Sequence, residues 1–83
     1  MFHLYILLSE KTNKFYIGST GNLEDRITRH NGSRSKSTKT GIPWKLVYTE
    51  EFETRGEAMK RERAVKLWKS HERVAQLVIA SRF

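Results

Sequence analysis

Glu62 is a carboxylate at a position where the helical pattern expects an apolar side chain. At ~100° per residue, it lies roughly 40° from Ala58 and roughly 60° from Val65 on the helix that these residues indicate. A charge at the edge of a core needs a partner, because an unpaired buried charge is costly. One interpretation is an ion pair with Arg61, Lys66 or a basic residue elsewhere. The other is a metal ligand, since Mg²⁺ binds through one or two carboxylates together with substrate phosphate.

Arg26 and His30 are four residues apart, which places them on one flank of a helix. An arginine presents a rigid fork that suits a phosphoryl group, and a histidine can relay protons near neutral pH. Tyr5 and Tyr16 become chemically useful where a neighbouring cation lowers the pKa of a tyrosine. Each pair also has a purely structural interpretation. Arg26 and His30 would then lie on a solvated helix face, and the two tyrosines would pack in a sheet.

The charge of the chain points to an anionic partner. Sixteen Lys and Arg against nine Asp and Glu give a net charge of +7 and a pI near 10.1. The basic residues cluster in two blocks, residues 26–49 and 60–73, with Trp44 and Trp68 nearby. This pattern suits a groove that follows a nucleic-acid backbone and offers apolar platforms to the bases. Two solvated faces, or an anionic membrane, would fit the charge alone equally well.

The bulk composition limits the architecture and the compartment. A chain of 83 residues fits one domain, residues 1–83, and cannot hold two independent cores. It contains no cysteine, which excludes disulfides and thiolate zinc sites and suits a reducing cytoplasm. The apolar run at residues 4–8 is far shorter than the roughly 18 residues that span a bilayer. The N-terminus lacks the features of a signal peptide. We therefore expect a cytoplasmic protein without a membrane segment.

Two short apolar segments, residues 2–8 and 14–18, are separated by a polar turn and predict a β-hairpin. Residues 44–49 alternate over apolar positions and predict a third strand that ends there. Alternation with a period of two sends Tyr5 and Tyr16 to the face opposite the apolar positions of the hairpin. The turn residues leave the hairpin register open, and with it whether the tyrosines sit directly opposite each other.

Capping residues and apolar spacing predict three helices. Asn22 is an N-cap residue for the first helix, which directs Leu23 and Ile27 toward the core. Thr54 begins a capping box of the form T-x-x-E, and the helix behind it stays rich in Lys and Arg to residue 69. Residues 72–81 carry apolar side chains at helical spacing and predict the last helix.

The basic, hydroxyl-rich stretch at residues 33–43 predicts a mobile loop between the first helix and the third strand. The complete order is then β-β-α-β-α-α. It implies an α+β fold, with a small three-stranded antiparallel sheet flanked by helices.

Several of these elements together resemble a known family. Leu4-Tyr5 and, after ten intervening residues, Tyr16-Ile17-Gly18 are similar to the two halves of the GIY-YIG nuclease signature. Residues 22–27 resemble the family's helix with a single arginine one turn after the cap, and residues 57–66 resemble the later helix with a metal-binding glutamate. The match covers residues 2–68. It is nearest to the short, stand-alone bacterial members, the UPF0213 or YhbQ-like group.

The resemblance implies a GIY-YIG endonuclease-like fold and hydrolysis of a phosphodiester with one divalent ion, Mg²⁺ or Mn²⁺. Glu62 would hold the metal. Tyr5 would act as general base or water-orienting group with help from Tyr16, and Arg26 would stabilise charge on the phosphoryl group in the transition state. His30 would be an auxiliary proton or phosphate contact.

We expect nucleic-acid contacts from the signature and from the basic blocks, at Gly18, Ser19, Arg29, Arg34, Lys36, Lys39 and Lys66. Gly18 would allow a close approach of the backbone. Two positions depart from the family pattern. His3 stands where the signature has its first glycine, and Ser19 stands where some relatives have a lysine.

Three functions are compatible with these features. The first is an endonuclease on DNA, with branched, nicked or single-stranded forms as candidate substrates and repair or recombination as the setting. The second is a nucleic-acid-binding module of the same fold with little or no catalytic activity. The third is an adaptor that needs a protein partner to supply specificity.

Overall fold

Three strands and three helices form an α+β domain, in the order that the sequence predicts. The computed structural model describes residues 1–32 and 38–81. The sheet is antiparallel with the strand order β2-β1-β3, so the first strand is central. The elements are β1 (Phe2–Ser9), β2 (Phe15–Thr20), α1 (Leu23–Asn31), a 3₁₀ turn (Lys39–Gly41), β3 (Trp44–Phe52), α2 (Arg55–Lys66) and α3 (His71–Ala80).

The turn between β1 and β2 is organised by one buried hydroxyl. Ser9 Oγ accepts hydrogen bonds from the backbone N–H of Lys11 and Thr12 at 3.2 and 2.9 Å. It donates to the carbonyl of Gly41 at 2.6 Å. Asn13 takes a positive φ of 62°, which asparagine tolerates better than most residues. These contacts fix the hairpin register that the turn residues alone left open.

Each face of the sheet packs against its own helices. Leu4 and Ile6 face α2 and α3, where they meet Val65, Val74 and Val78. The opposite face packs on α1, and its members are Tyr5, Leu7, Trp44, Tyr16, Leu23, Ile27, Ile42 and Leu46. The predicted separation of the tyrosines from the apolar hairpin positions is therefore confirmed, as is the inward direction of the two apolar residues of α1.

The third strand is longer than the sequence indicates. We predicted that it ends at Thr49, but β3 continues to Phe52. Phe2 pairs with Phe52 and Leu4 pairs with Glu50, so the extra residues satisfy the backbone groups at the start of β1. The register shifts at Val47, which lies between the partners of two consecutive β1 residues.

Each helix begins at a side chain that caps it. Asn22, Thr54 and Ser70 accept hydrogen bonds from the backbone N–H groups three residues later. The second helix ends at Lys66 rather than at residue 69, and Lys69 takes a positive φ of 47° in the turn before α3. Among the described residues, none of the helices has the length and apolar character to cross a membrane.

The segment before β3 is more tightly packed than the predicted mobile loop. Thr38 is fully buried and Gly41 is also buried. The Trp44 indole N–H donates to the Thr38 carbonyl at 2.7 Å. The prediction therefore fails at Thr38 and Gly41, which are buried against Trp44, whereas Lys39 and Thr40 between them are exposed. The predicted contacts Arg34 and Lys36 lie outside the described residues.

Candidate active site

A chain of buried hydrogen bonds runs from β1 through α1 to the 3₁₀ turn. The Tyr5 hydroxyl lies 3.1 Å from Nε2 of His30, and Nδ1 of His30 lies 3.0 Å from Oγ1 of Thr38. All three residues are buried. Either Tyr5 donates to His30, which donates to Thr38, or both bonds run in the reverse direction. In both arrangements a neutral imidazole holds the Tyr5 hydroxyl.

Asn31 fixes the position of His30. It is the last residue of α1 and bonds both backbone groups of Trp44. Its Oδ1 accepts from the N–H at 2.6 Å, and its Nδ2 donates to the carbonyl at 3.0 Å. These bonds attach the end of α1 to the start of β3. Sequence reasoning missed Asn31 and Thr38. Thr38 is one of several hydroxyl residues in a low-complexity stretch, and the local pattern does not show that Trp44 bonds both residues.

Tyr16 lies beside this chain on the same sheet face. Its ring centroid is 4.6 Å from that of His30 and 6.3 Å from that of Tyr5. The register pairs Tyr5 with Gly18 and Tyr16 with Leu7, so the tyrosines are diagonal neighbours. Tyr5 is 2% exposed, whereas Tyr16 is only partly buried. Tyr16 is therefore the tyrosine that solvent reaches.

The surroundings keep Tyr5 protonated and His30 neutral. Burial raises the pKa of the Tyr5 hydroxyl to about 12, Tyr16 adds to the rise, and the positive charge of Arg26 opposes it. Burial lowers the pKa of His30 below its ordinary value, and Arg26 acts in the same direction. The neutral imidazole has one unprotonated ring nitrogen, so it can accept a hydrogen bond from the Tyr5 hydroxyl.

The burial of His30 predicts a fold that is sensitive to acid. Because its pKa is lower in the folded chain than in the unfolded chain, the unfolded chain binds the proton first as the pH falls. The contribution of neutral His30 to the free energy of unfolding is complete above the unfolded-state pKa of about 6.5. It is lost as the pH falls through the folded-state pKa. We expect the free energy of unfolding to decrease on acidification from neutral pH, and His30→Gln to weaken that dependence.

Urea unfolding of both proteins across this pH range measures the effect. His71→Gln is the matched control, because His71 is exposed at the start of α3. Identical pH profiles for the His30→Gln and wild-type proteins would contradict the prediction.

Glu62 reaches from α2 to the end of β2. Its Oε1 accepts a hydrogen bond from the Ser19 hydroxyl at 2.5 Å, and its Oε2 lies 2.6 Å from Nζ of Lys66. The ion pair with Lys66, one of the two interpretations of this carboxylate, is therefore present. The Glu62 side chain is 22% exposed and that of Lys66 is 51% exposed.

The carboxylate of Glu62 fits a single divalent ion that keeps most of its water. A carboxylate offers about four lone-pair positions, of which Ser19 and Lys66 occupy two. The exposed Lys66 side chain can also move aside. Within residues 1–32 and 38–81, no three Asp, Glu or His side chains converge into a metal cage. An ion here would rely on Glu62, water and a substrate phosphate, as Mg²⁺ commonly does.

Gly18 and Ser19 connect the Tyr5–His30 pair with Glu62, because successive residues of a strand point to opposite faces. Ser19 faces α2 and contacts Glu62. Gly18 pairs with Tyr5 and faces α1. A Cβ atom on Gly18 would lie 2.5 Å from the Tyr5 hydroxyl oxygen. The close approach that Gly18 permits is thus made by the Tyr5 ring.

Gly18→Ala is expected to displace Tyr5. The added methyl group would overlap the hydroxyl, which is buried and bonded to His30. Overpacking of this kind costs roughly 1–3 kcal/mol, and the movement should also break the bond to His30. Urea unfolding measures the loss. Gly56→Ala is the control, because nothing lies within 4 Å of a Cβ atom at Gly56. A Gly18→Ala protein as stable as wild type would contradict the prediction.

Arg26 lies beside both halves of the site. Its charge acts on the Tyr5 hydroxyl and on His30. It also lines a cleft that includes Ser19, the residue bonded to Glu62. Across the part of the chain that the structure describes, the Arg26 guanidinium has no ion-pair partner. It is therefore available to an anionic ligand.

The other residues predicted to contact nucleic acid lie around the Tyr5–His30 pair, Arg26 and Glu62. Arg29 lines the same cleft as Arg26, and Lys39 is exposed on the 3₁₀ turn. Lys66 is engaged by Glu62. His3, at the position of the first signature glycine, lies on β1 with its Nε2 4.0 Å from a carboxylate oxygen of Glu51. The candidate site thus has a compact centre and a dispersed basic surround.

The two tryptophans differ in their surroundings. Trp44 is 8% exposed and packs in the α1-side core, so the prediction of an apolar platform is wrong for this residue. The ring of Trp68 has the guanidinium groups of Arg61 and Arg73 over it, at 5.7 and 4.4 Å from the centroid. Arg61 also bonds both carboxylate oxygens of Glu50. This cluster ties β3, α2 and α3 together.

Comparison with known proteins gives consistent matches over most of the chain. Residues 1–74 match the family described as the GIY-YIG catalytic domain. A UPF0213 protein of Staphylococcus haemolyticus is 38% identical over 76 residues, which cover 90% of this chain and 93% of the relative. A UPF0213 protein of Listeria welshimeri is 43% identical over 65 residues, 77% of this chain and 72% of the relative.

The fold also matches a solved structure. The solution NMR structure of the UPF0213 protein BH0048 from Bacillus halodurans superimposes with a TM-score of 0.60 at 33% sequence identity. The superposition covers 96% of this chain and 85% of that protein. The predicted fold class is thereby confirmed.

Proposed function

The chain belongs to the GIY-YIG family, and on that premise we propose that it is a metal-dependent endonuclease that hydrolyses phosphodiester bonds in DNA. One observation carries the proposal. The hydrogen-bonded pair of Tyr5 and His30 lies beside Arg26. On β2, Ser19 holds the partly exposed carboxylate of Glu62. A proton acceptor, a cation and a metal ligand are the groups that hydrolysis of a phosphodiester needs.

Glu62 would hold one Mg²⁺ or Mn²⁺ ion, which when bound supplies positive charge to a phosphoryl oxygen. Ser19 keeps the carboxylate pointed toward the end of β2 through its hydrogen bond to Oε1. Lys66 pairs with the carboxylate in this structure and would be released if a cation took its place. The released ammonium is then available to a backbone phosphate of the nucleic acid.

Tyr5 and His30 would move the proton of the attacking water. The water oxygen forms a bond to phosphorus, and one P–O ester bond breaks, so that its oxygen leaves as an alkoxide and takes a proton from solvent. The water gives a proton to the Tyr5 hydroxyl oxygen as Tyr5 gives its own proton to Nε2 of His30. Thr38 holds the opposite ring nitrogen throughout. This route explains how a tyrosine with a pKa of about 12 can act at neutral pH, because it need not exist as a free phenolate.

Arg26 would bind the phosphoryl group and stabilise the charge that develops on it. Tyr16, the more exposed tyrosine, would orient the water beside Tyr5. The basic residues Arg29, Arg34, Lys36 and Lys39 would contact the backbone of the strand. The proposed substrate is branched, nicked or single-stranded DNA. The proposed setting is repair or recombination in the cytoplasm.

A cleavage assay on DNA and RNA oligonucleotides of each structural form tests the function. We expect the full chain to cut DNA with Mg²⁺ or Mn²⁺ and to be inactive with EDTA. Glu62→Ala and Arg26→Ala should lose the activity while they still bind the substrate. Binding by fluorescence anisotropy, measured on the same proteins, separates lost catalysis from lost affinity. Cleavage that persists in EDTA would overturn the metal-dependent mechanism.

A binding module of the same fold is the second candidate. The Glu62–Lys66 ion pair favours it, because a carboxylate already neutralised by lysine has less attraction for a metal ion. This alternative predicts DNA binding with a steep dependence on salt and no cleavage of any substrate with metal present. A protein that neither binds nor cuts would instead require a partner.

A further inference from the structure

A cleft lies beside the candidate site, between the end of β2, α1 and the first turns of α2. It has a volume of about 480 Å³. Two of its lining residues, Ser19 and Arg26, belong to the site already described. Its other lining residues include Phe2, Thr20, Arg55 and Met59, to which the proposed function gives no part. The cleft therefore extends the candidate site beyond Ser19 and Arg26.

The lining of the cleft is positively charged. Arg26, Arg29 and Arg55 contribute three guanidinium groups, and Asp25 is its single carboxylate. Asp25 pairs with Arg29 at 3.0 Å, which leaves two guanidinium charges without a balancing acid. Arg55 is exposed, and over residues 1–32 and 38–81 it has no ion-pair partner. Guanidinium groups suit phosphate because their N–H groups can bond two oxygens at once.

The cleft also has apolar walls. Phe2 packs close to Gly21, whose Cβ, if present, would lie 3.2 Å from the ring. Met59 on α2 is 47% exposed and lines the same space. An aromatic ring and a thioether beside arginines match a ligand that carries both a phosphate and a flat apolar group.

We propose that this arginine cleft binds the nucleotide next to the scissile phosphate. Arg29 and Arg55 contact its phosphate, and its base lies against Phe2 and Met59. The inference rests on the proposed endonuclease function, because it assumes that the scissile phosphate lies at Arg26. It assigns to Phe2, Arg55 and Met59 a part in substrate binding that the signature residues do not have.

Binding of DNA oligonucleotides to the uncleaving Glu62→Ala protein tests the cleft in EDTA. The observed affinity is measured as a function of salt concentration. Arg55→Ala should weaken binding roughly fivefold to tenfold near 0.1 M salt and reduce the slope of log K against log salt by about one. Lys60→Ala is the matched control, because Lys60 lies on the same helix, is exposed, and does not line the cleft. Arg55→Lys should keep the slope.

An abasic nucleotide placed at successive positions around the cut tests the base contact. At one position the abasic DNA should bind about fivefold or more weakly than intact DNA to the protein that retains Phe2. The Phe2→Leu protein should bind the two DNAs equally. Equal slopes for Arg55→Ala and Lys60→Ala overturn the inference, as does equal affinity for intact and abasic DNA at every position.

These outcomes separate the cleft from the proposed function. Selective loss of binding in Arg55→Ala, together with no cleavage by the wild-type protein, supports nucleotide binding in the cleft and overturns the endonuclease. Cleavage by the wild-type protein, with no selective effect of Arg55→Ala on binding, supports the endonuclease and overturns the cleft. Absence of DNA binding overturns both.

Discussion

Glu62→Gln is expected to lower the rate of DNA cleavage by roughly 10²- to 10³-fold or more, the scale of losing one main electrostatic contributor to a transition state. The substitution keeps the shape of the side chain and an oxygen that can accept from Ser19, but it removes the charge that would attract a divalent ion. It also releases Lys66 from its ion pair. DNA affinity should therefore stay the same or increase.

Single-turnover cleavage rates and fluorescence anisotropy measure the two effects. Glu53→Gln provides the matched control, because Glu53 is an exposed glutamate that precedes the cap of α2. Thermal stability should change little in either protein, since exposed ion pairs contribute only about 0–1 kcal/mol. A Glu62→Gln protein that cuts at the wild-type rate would remove the metal ligand from the proposed mechanism.

Tyr5→Phe is expected to lower the cleavage rate by roughly 10²- to 10⁴-fold, the usual contribution of a positioned proton-transfer group. The ring remains and continues to fill the space beneath Gly18. The missing hydroxyl leaves Nε2 of His30 without its partner. An unsatisfied buried polar group costs about 1–3 kcal/mol, so the free energy of unfolding should fall by a similar amount.

Tyr48→Phe is a close control for this change. Burial and a hydrogen bond to Glu50 raise the pKa of Tyr48 to about 12, as burial does for Tyr5. Tyr48 lies on the α2–α3 side of the sheet, away from His30. Its loss should reduce stability without affecting cleavage. If both tyrosine variants lose activity equally, the Tyr5 hydroxyl has no special part in the reaction.

The predictions that held depend on local chemistry. Asn22 and Thr54 cap their helices because the side chain and the backbone N–H it bonds are only three residues apart. Tyr5 and Tyr16 share a sheet face because alternation along a strand follows from backbone geometry. The position of Glu62 on the edge of the apolar arc likewise follows from helical spacing alone, and its side chain is indeed partly buried.

The predictions that failed depend on contacts between distant residues. Thr38 and Trp44 are buried together because Asn31 bonds Trp44 and the indole bonds Thr38, which no local pattern reveals. β3 extends through Phe52 because Phe2 pairs with it across the sheet. The offset of the two tyrosines, which the sequence left open, follows from the hairpin register. In each case the tertiary structure decides what the local sequence leaves open.

The neighbouring positions of Gly18 and Ser19 restrict how this domain can change during evolution or engineering. Gly18 lies against the Tyr5 ring and Ser19 bonds the Glu62 carboxylate, on opposite sides of a single strand. Inserting or deleting one residue within β2 would exchange the two sides and separate the groups at once. The exposed turn residues Lys11 and Thr12 contact neither group, but their backbone N–H groups bond Ser9 Oγ and hold the turn. A change of length at the tip of the hairpin would therefore disturb the turn, whereas a change within β2 would disturb the proposed catalytic geometry itself.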